Sequence, residues 1–253
     1  MTEKKIIWIT GASSGIGKAL AIKFAEKGWT VAASARRESL LQELNKINQS
    51  IYSFPLDVTE IENCKLIANK IIEKFGGIDI CVFGTGMHDP KSEKRFNLNK
   101  IREIMEVNYF GTMNSINSIY EYFSEKKNGQ ISIISSVAGY RGLPAAGAYC
   151  ASKAALTSYA ESLNFDMQMK NVKVSLISPG FIKTPMTDQN DFPMPMIKSP
   201  EFAANEIFKG LTKKKSFEIH FPKAFTYFLK FLQILPSSIY FKLVSKGMKK
   251  IDY

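Results

Sequence analysis

Tyr149 and Lys153 stand four residues apart in the segment Ala148-Tyr149-Cys150-Ala151-Ser152-Lys153. On a helix this spacing puts both side chains on one face, roughly 5–6 Å apart at Cβ. A phenol with an ordinary pKa near ~10 transfers protons poorly at neutral pH. A neighbouring ammonium favours the phenolate, so the pair predicts a lowered tyrosine pKa and proton exchange with a substrate oxygen. Ser136 lies thirteen residues before Tyr149, at the end of the apolar run Gln130–Ser135, and can hydrogen-bond the same oxygen. A YxxxK spacing alone is ordinary helix surface. Its weight depends on what else the chain brings to it.

The next chemically informative stretch is Thr10-Gly11-Ala12-Ser13-Ser14-Gly15-Ile16-Gly17, which leads from an apolar run into a helical pattern. Glycines let the backbone turn tightly and approach a pyrophosphate, and the free N–H groups of the new helix face the anion. Gly11, Ser13, Ser14, Gly15, Ile16 and Gly17 are therefore candidate cofactor contacts. The second apolar run ends Ala35-Arg36-Arg37. Dinucleotide folds selecting NAD usually carry an acid at this strand end. A guanidinium there grips a 2′-phosphate by charge-assisted bonds. The expected cofactor is NADP(H), with Arg36 as the main contact and Arg37 assisting; two solvated arginines at a helix start are the plainer alternative.

These residues need a scaffold that presents strand ends on one side. Short β-branched runs alternate with longer segments of helical period, as in βαβ units. The predicted strands are Lys5–Thr10, Thr30–Ala35, Ile51–Leu56, Ile78–Phe83, Gln130–Ser135, Lys173–Ile177 and Phe217–Phe221. Most are apolar without alternation, as in strands covered on both faces. The predicted helices are Ile16–Lys27, Glu38–Asn48, Glu60–Phe75, Asn99–Lys126, Tyr149–Met169 and Pro200–Thr212, the last capped by Ser199. The proline- and methionine-rich stretch from Thr184 to Pro200 reads as a loop or short-helix insertion. The fold class is thus α/β, a Rossmann-type doubly wound parallel sheet of about seven strands with helices on both faces. Residues 1–222 form the catalytic domain and 223–253 a helical extension.

Together, the TGASSGIG turn and the Tyr149/Lys153 pair closely resemble the short-chain dehydrogenase/reductase family, over roughly residues 4–222. The resemblance implies that Tyr149 is the acid or base, that Ser136 orients the carbonyl or alcohol, and that Lys153 tunes Tyr149 and holds the nicotinamide ribose. It implies that Asn108, in Val107-Asn108-Tyr109-Phe110-Gly111-Thr112, supports a water chain to the lysine. Asp57-Val58 would hold the adenine ring. The stretch Pro179-Gly180-Phe181-Ile182-Lys183-Thr184 would seat the nicotinamide, with Ile182 against the amide and Thr184 near the phosphates. Where the family commonly shows Asn-Asn-Ala-Gly, this chain reads Phe83-Gly84-Thr85-Gly86. Backbone contacts through Gly84 survive that change, but the loop-tying side-chain bonds of the first asparagine do not. His88, just beyond, is placed to reach the substrate pocket; with no partner in the sequence it reads as a loop histidine ahead of a catalytic one, and Cys150 reads as packing.

Composition narrows the partners. The chain has 253 residues, 45% apolar, with 34 basic and 23 acidic side chains, a formal net charge of +11. Nine lysines and only two acids fall between Lys213 and Tyr253, so the basicity belongs to the tail. The three cysteines have no CxxC spacing, which argues against a disulfide framework or metal site and for a reducing, cytoplasmic setting. Lys223–Leu235 carries one narrow polar stripe on an otherwise apolar helix, and Ile239–Lys250 sets apolar residues against lysines. Thirteen helical residues reach only ~20 Å, too short for a ~30 Å hydrocarbon core. The tail therefore packs on its own domain or a partner subunit, or lies peripherally on an anionic membrane through residues 223–253. With no arginine there, nucleic acid is not an expected partner. The sequence reading is an NADP(H)-dependent oxidoreductase interconverting a carbonyl and a secondary alcohol, reducing a lipophilic carbonyl, as a homo-oligomer. Its rival is a non-catalytic NADP(H)-binding scaffold associated with a membrane.

Overall fold

The computed structural model describes residues 4–93, 95–214 and 216–248; Lys215, Lys249 and Lys250 of the basic tail lie outside them. Seven strands form one sheet in the order β3-β2-β1-β4-β5-β6-β7, every neighbouring pair parallel. They are β1 (Ile6–Thr10), β2 (Thr30–Ser34), β3 (Ile51–Ser53), β4 (Ile80–Phe83), β5 (Gln130–Ile134), β6 (Lys173–Pro179) and β7 (Glu218–Phe221). The chain works outward from β1 to β3, then returns to lay β4 against the other side of β1. That reversal opens a crevice at the carboxyl ends of β1 and β4, the place where doubly wound sheets bind ligands.

Alternation along the strands sorts the core. Trp8 points to one face of the sheet, with Phe83, Ile131 and Ile133, and is covered by α3 (Ile61–Phe75), α6 (Gly111–Lys126) and α7 (Gly147–Gln168). Ile7 and Ile9 point to the other face and are covered by α1 (Gly15–Glu26), α2 (Glu38–Ile47) and α8 (Pro200–Lys209). Because both faces are buried, the strands cannot show an apolar/polar alternation.

The short helix α4 (Pro90–Glu93) and α5 (Leu98–Met105) follow β4, and Asn97 caps α5 by accepting the Lys100 N–H at 3.1 Å. The predicted single helix Asn99–Lys126 is instead α5, a π-turn over Glu106–Phe110, and α6. The predicted third strand shortens to three residues. Phe54 and Leu56 still donate to Ala33 and Ala35, but Pro55 between them has no N–H. The proline-rich stretch forms a single 3₁₀ turn at Thr187–Gln189, and Ile182 bridges to Lys198. Ser199 caps α8 as expected, accepting the Phe202 N–H at 3.2 Å.

Two helices end the described chain, α9 (Lys223–Ile234) and α10 (Ser237–Met248). Both rest on the body. Buried Thr226 meets His220 Nδ1 at 2.6 Å, and Lys230 pairs with Glu218, which also accepts the Tyr140 hydroxyl at 2.6 Å. Arg141 donates to the carbonyls of Leu232 at 2.9 Å and Leu235 at 2.7 Å, and its guanidinium lies 4.0 Å from the Tyr240 ring centre. Tyr240 is buried and donates to the Gly142 carbonyl at 2.6 Å.

Candidate active site

The strand ends deliver the predicted cofactor residues to one cleft of about 390 Å³. Gly11, Ser13, Ser14, Gly15, Ile16 and Gly17 line it from the first turn, Arg36 and Arg37 from the end of β2, and Asp57 and Val58 from beyond β3. Gly84 follows β4, and Pro179, Gly180, Ile182 and Thr184 come from the end of β6, with Ser136, Tyr149 and Lys153 also on the walls. Thr85, Gly86, Val107, Met186 and Thr187 line it too. No local pattern marks Val107 and Met186, which are ordinary apolar residues until the chain is folded.

Gly11 needs to be glycine on two counts. Its φ is +73°, and a Cβ would stand 2.7 Å from the Gly84 carbonyl oxygen. The first turn thus closes directly onto the loop after β4, where Thr10 Oγ1 accepts the Gly84 N–H at 3.1 Å. Phe83, at the position of the family's first asparagine, is buried edge-on against Trp8 at 5.6 Å. The loop-tying bonds come from elsewhere. Buried Asn108 accepts the Met87 N–H at 2.7 Å and donates to the Met87 carbonyl at 3.0 Å.

The two arginines are held differently. Arg37 turns back over the glycine turn, donating to Ser13 Oγ at 2.9 Å and Ser14 Oγ at 3.3 Å. Arg36 is largely exposed, its guanidinium 3.9 Å from Asp57 Oδ2. Both flank the cleft, but Arg37 is the one held in place. Asp57 Oδ1 accepts the Thr59 N–H and hydroxyl at 3.0 and 2.8 Å.

Tyr149 sits in the first turn of α7 and Lys153 one turn on, its Nζ 5.7 Å from the Tyr149 ring centre. The electrostatics reverse the sequence expectation. Burial pushes the Tyr149 phenol up to about 12, opposed by its hydrogen bond with Ser136. Burial also draws Lys153 down to about 8. Its Nζ donates to the Ile134 carbonyl at 3.0 Å. The low-dielectric pocket costs the phenolate and the ammonium alike. At neutral pH the phenol keeps its proton. Asn108 sits in the π-turn, a local widening common at functional sites. Its amide also donates to Ser152 Oγ at 3.0 Å, so its side chain braces α7 and the β4 loop.

A second cavity of about 260 Å³ opens beside the cleft and shares Ser136 and Tyr149 with it. Phe181, Phe192, Leu143, Pro144, Phe225 and Leu229 make much of its wall, the last two from α9. His88 lines it as well. Contrary to the sequence reading, His88 has a partner, Glu93, at 3.0 Å. Cys150 packs with Ala138 and Ala146, as expected.

Known proteins share this fold. The short chain dehydrogenase family model matches residues 5–193. An uncharacterized oxidoreductase of Myxococcus xanthus is 32% identical over 236 residues, covering 92% of this chain and 93% of that protein. A 3-oxoacyl-acyl-carrier-protein reductase of Thermotoga maritima is 32% identical over 191 residues, covering 74% of this chain and 78% of that one. Among solved structures, a short-chain dehydrogenase from Streptomyces avermitilis superposes with a TM-score of 0.83 at 23% identity, covering 100% of both chains. ElxO with NADP bound superposes with a TM-score of 0.77 at 23% identity, covering 86% of this chain and 97% of that one. With its glycine turn, strand-end serine and Tyr/Lys helix in one cleft, the chain belongs to the short-chain dehydrogenase family.

Proposed function

We propose that this protein is an NADPH-dependent reductase of lipophilic carbonyl compounds. The observation carrying the proposal is that Ser136 and Tyr149 stand between two cavities of different character. One is a glycine-floored cleft flanked by Arg36 and Arg37; the other has a largely apolar wall. The first fits a dinucleotide: Gly11 and Gly84 let backbone approach a pyrophosphate, α1 begins at the turn, and the arginines suit a 2′-phosphate. The NADP-bound relative of the same fold supports that choice. When bound, NADPH supplies the hydride. Lys153 would hold the nicotinamide ribose, and Ile182 and Thr184 would seat the ring and phosphates.

The chain's own residues handle the oxygen. The Ser136 hydroxyl donates to the substrate carbonyl and orients it. Tyr149, protonated at neutral pH as any phenol is, with burial raising its pKa further, gives its proton to that oxygen as negative charge develops. Phe181, Phe192 and Phe225 exclude water and suit an apolar substituent. Tyr149→Phe should retain NADPH binding, read by fluorescence titration, and lose carbonyl-dependent NADPH consumption. Undiminished turnover would remove Tyr149 from this role. A wild-type protein that binds NADPH but consumes none across a panel of carbonyl compounds would instead be the scaffold.

The extension forms a wall of the substrate cavity on one side and meets a lipid surface on the other. Tyr227, Phe228, Phe231 and Ile234 of α9 are exposed, as are Phe241 and Leu243 of α10. The lysine-rich tail complements anionic headgroups. No helix among the described residues is long and apolar enough to cross a membrane, so the contact is peripheral. The protein should float with phosphatidylglycerol vesicles and not with phosphatidylcholine vesicles, and removal of residues 236–253 should weaken flotation; equal flotation with both would refute this. The cysteines, free and buried, fit a reducing, cytoplasmic setting, and the working assembly is a homo-oligomer, readable by light scattering.

A further inference from the structure

Glu93 occupies an unusual position for a residue in so charged a stretch of sequence. Its side chain and that of His88 are only 5% and 9% exposed. One carboxylate oxygen, Oε2, accepts the Ala148 N–H at 2.7 Å and the Tyr149 N–H at 3.3 Å, at the start of α7. Orphan N–H groups at a helix start favour such an acceptor. The other oxygen, Oε1, lies 3.0 Å from His88 Nδ1. The His88 ring in turn lies against the Tyr149 ring, centroids 4.6 Å apart and planes tilted by 40°. One carboxylate thus ties the histidine to the backbone of the residue that carries the proton.

The pairing assigns the proton on Nδ1. A carboxylate accepts from Nδ1–H, and in the neutral imidazole the proton on Nδ1 leaves Nε2 with a free lone pair. His88 lines the apolar cavity beside Tyr149. We propose that His88 is a substrate-recognition residue, whose Nε2 accepts a hydrogen bond from a hydroxyl or amide N–H borne within a few atoms of the reacting carbonyl. The preferred substrates would then be hydroxy or amido ketones with an apolar substituent, rather than plain ketones. This rests on the carbonyl-reductase reading and deepens it. An apolar pocket discriminates weakly between substrates, whereas a positioned polar group favours those that satisfy it.

Paired probes test it: 2-hydroxy-1-phenylethanone and 1-phenylethanone, which differ by one hydroxyl, with NADPH consumption as the readout. One neutral hydrogen bond should favour the hydroxy ketone about fivefold in kcat/KM. His88→Phe keeps a ring against Tyr149 and should erase that preference. His88→Gln places an amide group where Nε2 was and should restore most of it. His88→Asn places one where Nδ1 was, keeps the Glu93 contact, and should not. Rescue by asparagine and not by glutamine would overturn the proposal, because His88 would then act only by bracing Glu93. An equal loss on both ketones in His88→Phe would also overturn it. So would a wild-type protein that reduces both without preference, which leaves the reductase reading standing. A wild type that reduces neither, while consuming NADPH on other members of the carbonyl panel, would overturn this proposal alone; one that consumes none across the panel removes the reductase reading as well.

Discussion

Replacing Lys153 with methionine should make this protein more stable and inactive. The lysine is buried, and burial lowers its pKa from 10.5 to about 8. At 1.36 kcal/mol per unit, that difference is worth about 3 kcal/mol against the charged form in the folded state. The folded pKa lies below the unfolded one, so under pH 8 both states carry the charge and the folded state bears the whole penalty. Between pH 8 and 10.5 the folded protein sheds the proton and the penalty fades. Methionine has similar length and no charge, but leaves the Ile134 carbonyl, now 3.0 Å from Nζ, without that donor. That loss costs about 1 kcal/mol. The net gain at pH 7 is about 1–2 kcal/mol, or roughly 5 °C in Tm for a chain of this size. Urea unfolding of wild type and Lys153→Met at pH 7 and pH 10, without cofactor, reads both quantities. The advantage should be present at pH 7 and shrink at pH 10, while turnover falls below detection. A variant less stable at pH 7, or an advantage independent of pH, would show that Lys153 does not carry a buried charge.

Cofactor choice should follow Arg37 more than Arg36. Arg37→Ala should weaken NADPH binding about tenfold, the order of one charge-assisted bond, and leave NADH nearly unchanged, while Arg36→Ala has the smaller effect; calorimetric titration that ranks them the other way would refute the assignment. The base of α9 should loosen in acid. Burial, Lys223 and Lys230 hold the His220 pKa below its ordinary 6.5; for Glu218, burial is outweighed by Lys230 and Tyr140, leaving its pKa below 4.5. Both folded values lie under the unfolded ones, so their stability is present above those values and is lost as pH falls, from near 6.5 for His220 and near 4.5 for Glu218. Tm should therefore drop between pH 7 and pH 4, and Glu218→Gln should flatten the lower part of that fall; an equally steep fall in the variant would exclude Glu218.

The parts of the site carried by backbone were legible before folding. Gly11, the end of β2, Ser136 and the Pro179-Gly180 step all sit at strand ends, and strand ends of a βαβ repeat collect at one crevice. What the sequence hid depends on distance through space. The phenol and ammonium looked like a pair that lowers the tyrosine pKa. Their shared burial, invisible in a spacing of four, raises one and lowers the other. Asn108 stands out, but the π-turn holding it follows no apolar period and the pattern there predicts plain helix. His88 looked solitary because its partner Glu93 lies in Lys91–Arg95, a charged stretch that ordinarily faces water. The narrow polar stripe of α9 is plain in the sequence; that Phe225 and Leu229 wall the cavity depends on a fold that no local pattern encodes.

Arg141 clasps the end of α9 through the Leu232 and Leu235 carbonyls. The clasp means that the cavity beside the cofactor cleft is completed by chain that follows the last strand of the sheet. A nascent chain can assemble the whole sheet and its cofactor cleft while still lacking a side to that chamber. In the same way, the segment after Phe221 is a cassette. Replacing it with the equivalent segment of another member, while keeping Arg141 and the carbonyls it holds, should change which compounds are turned over and leave the chemistry alone.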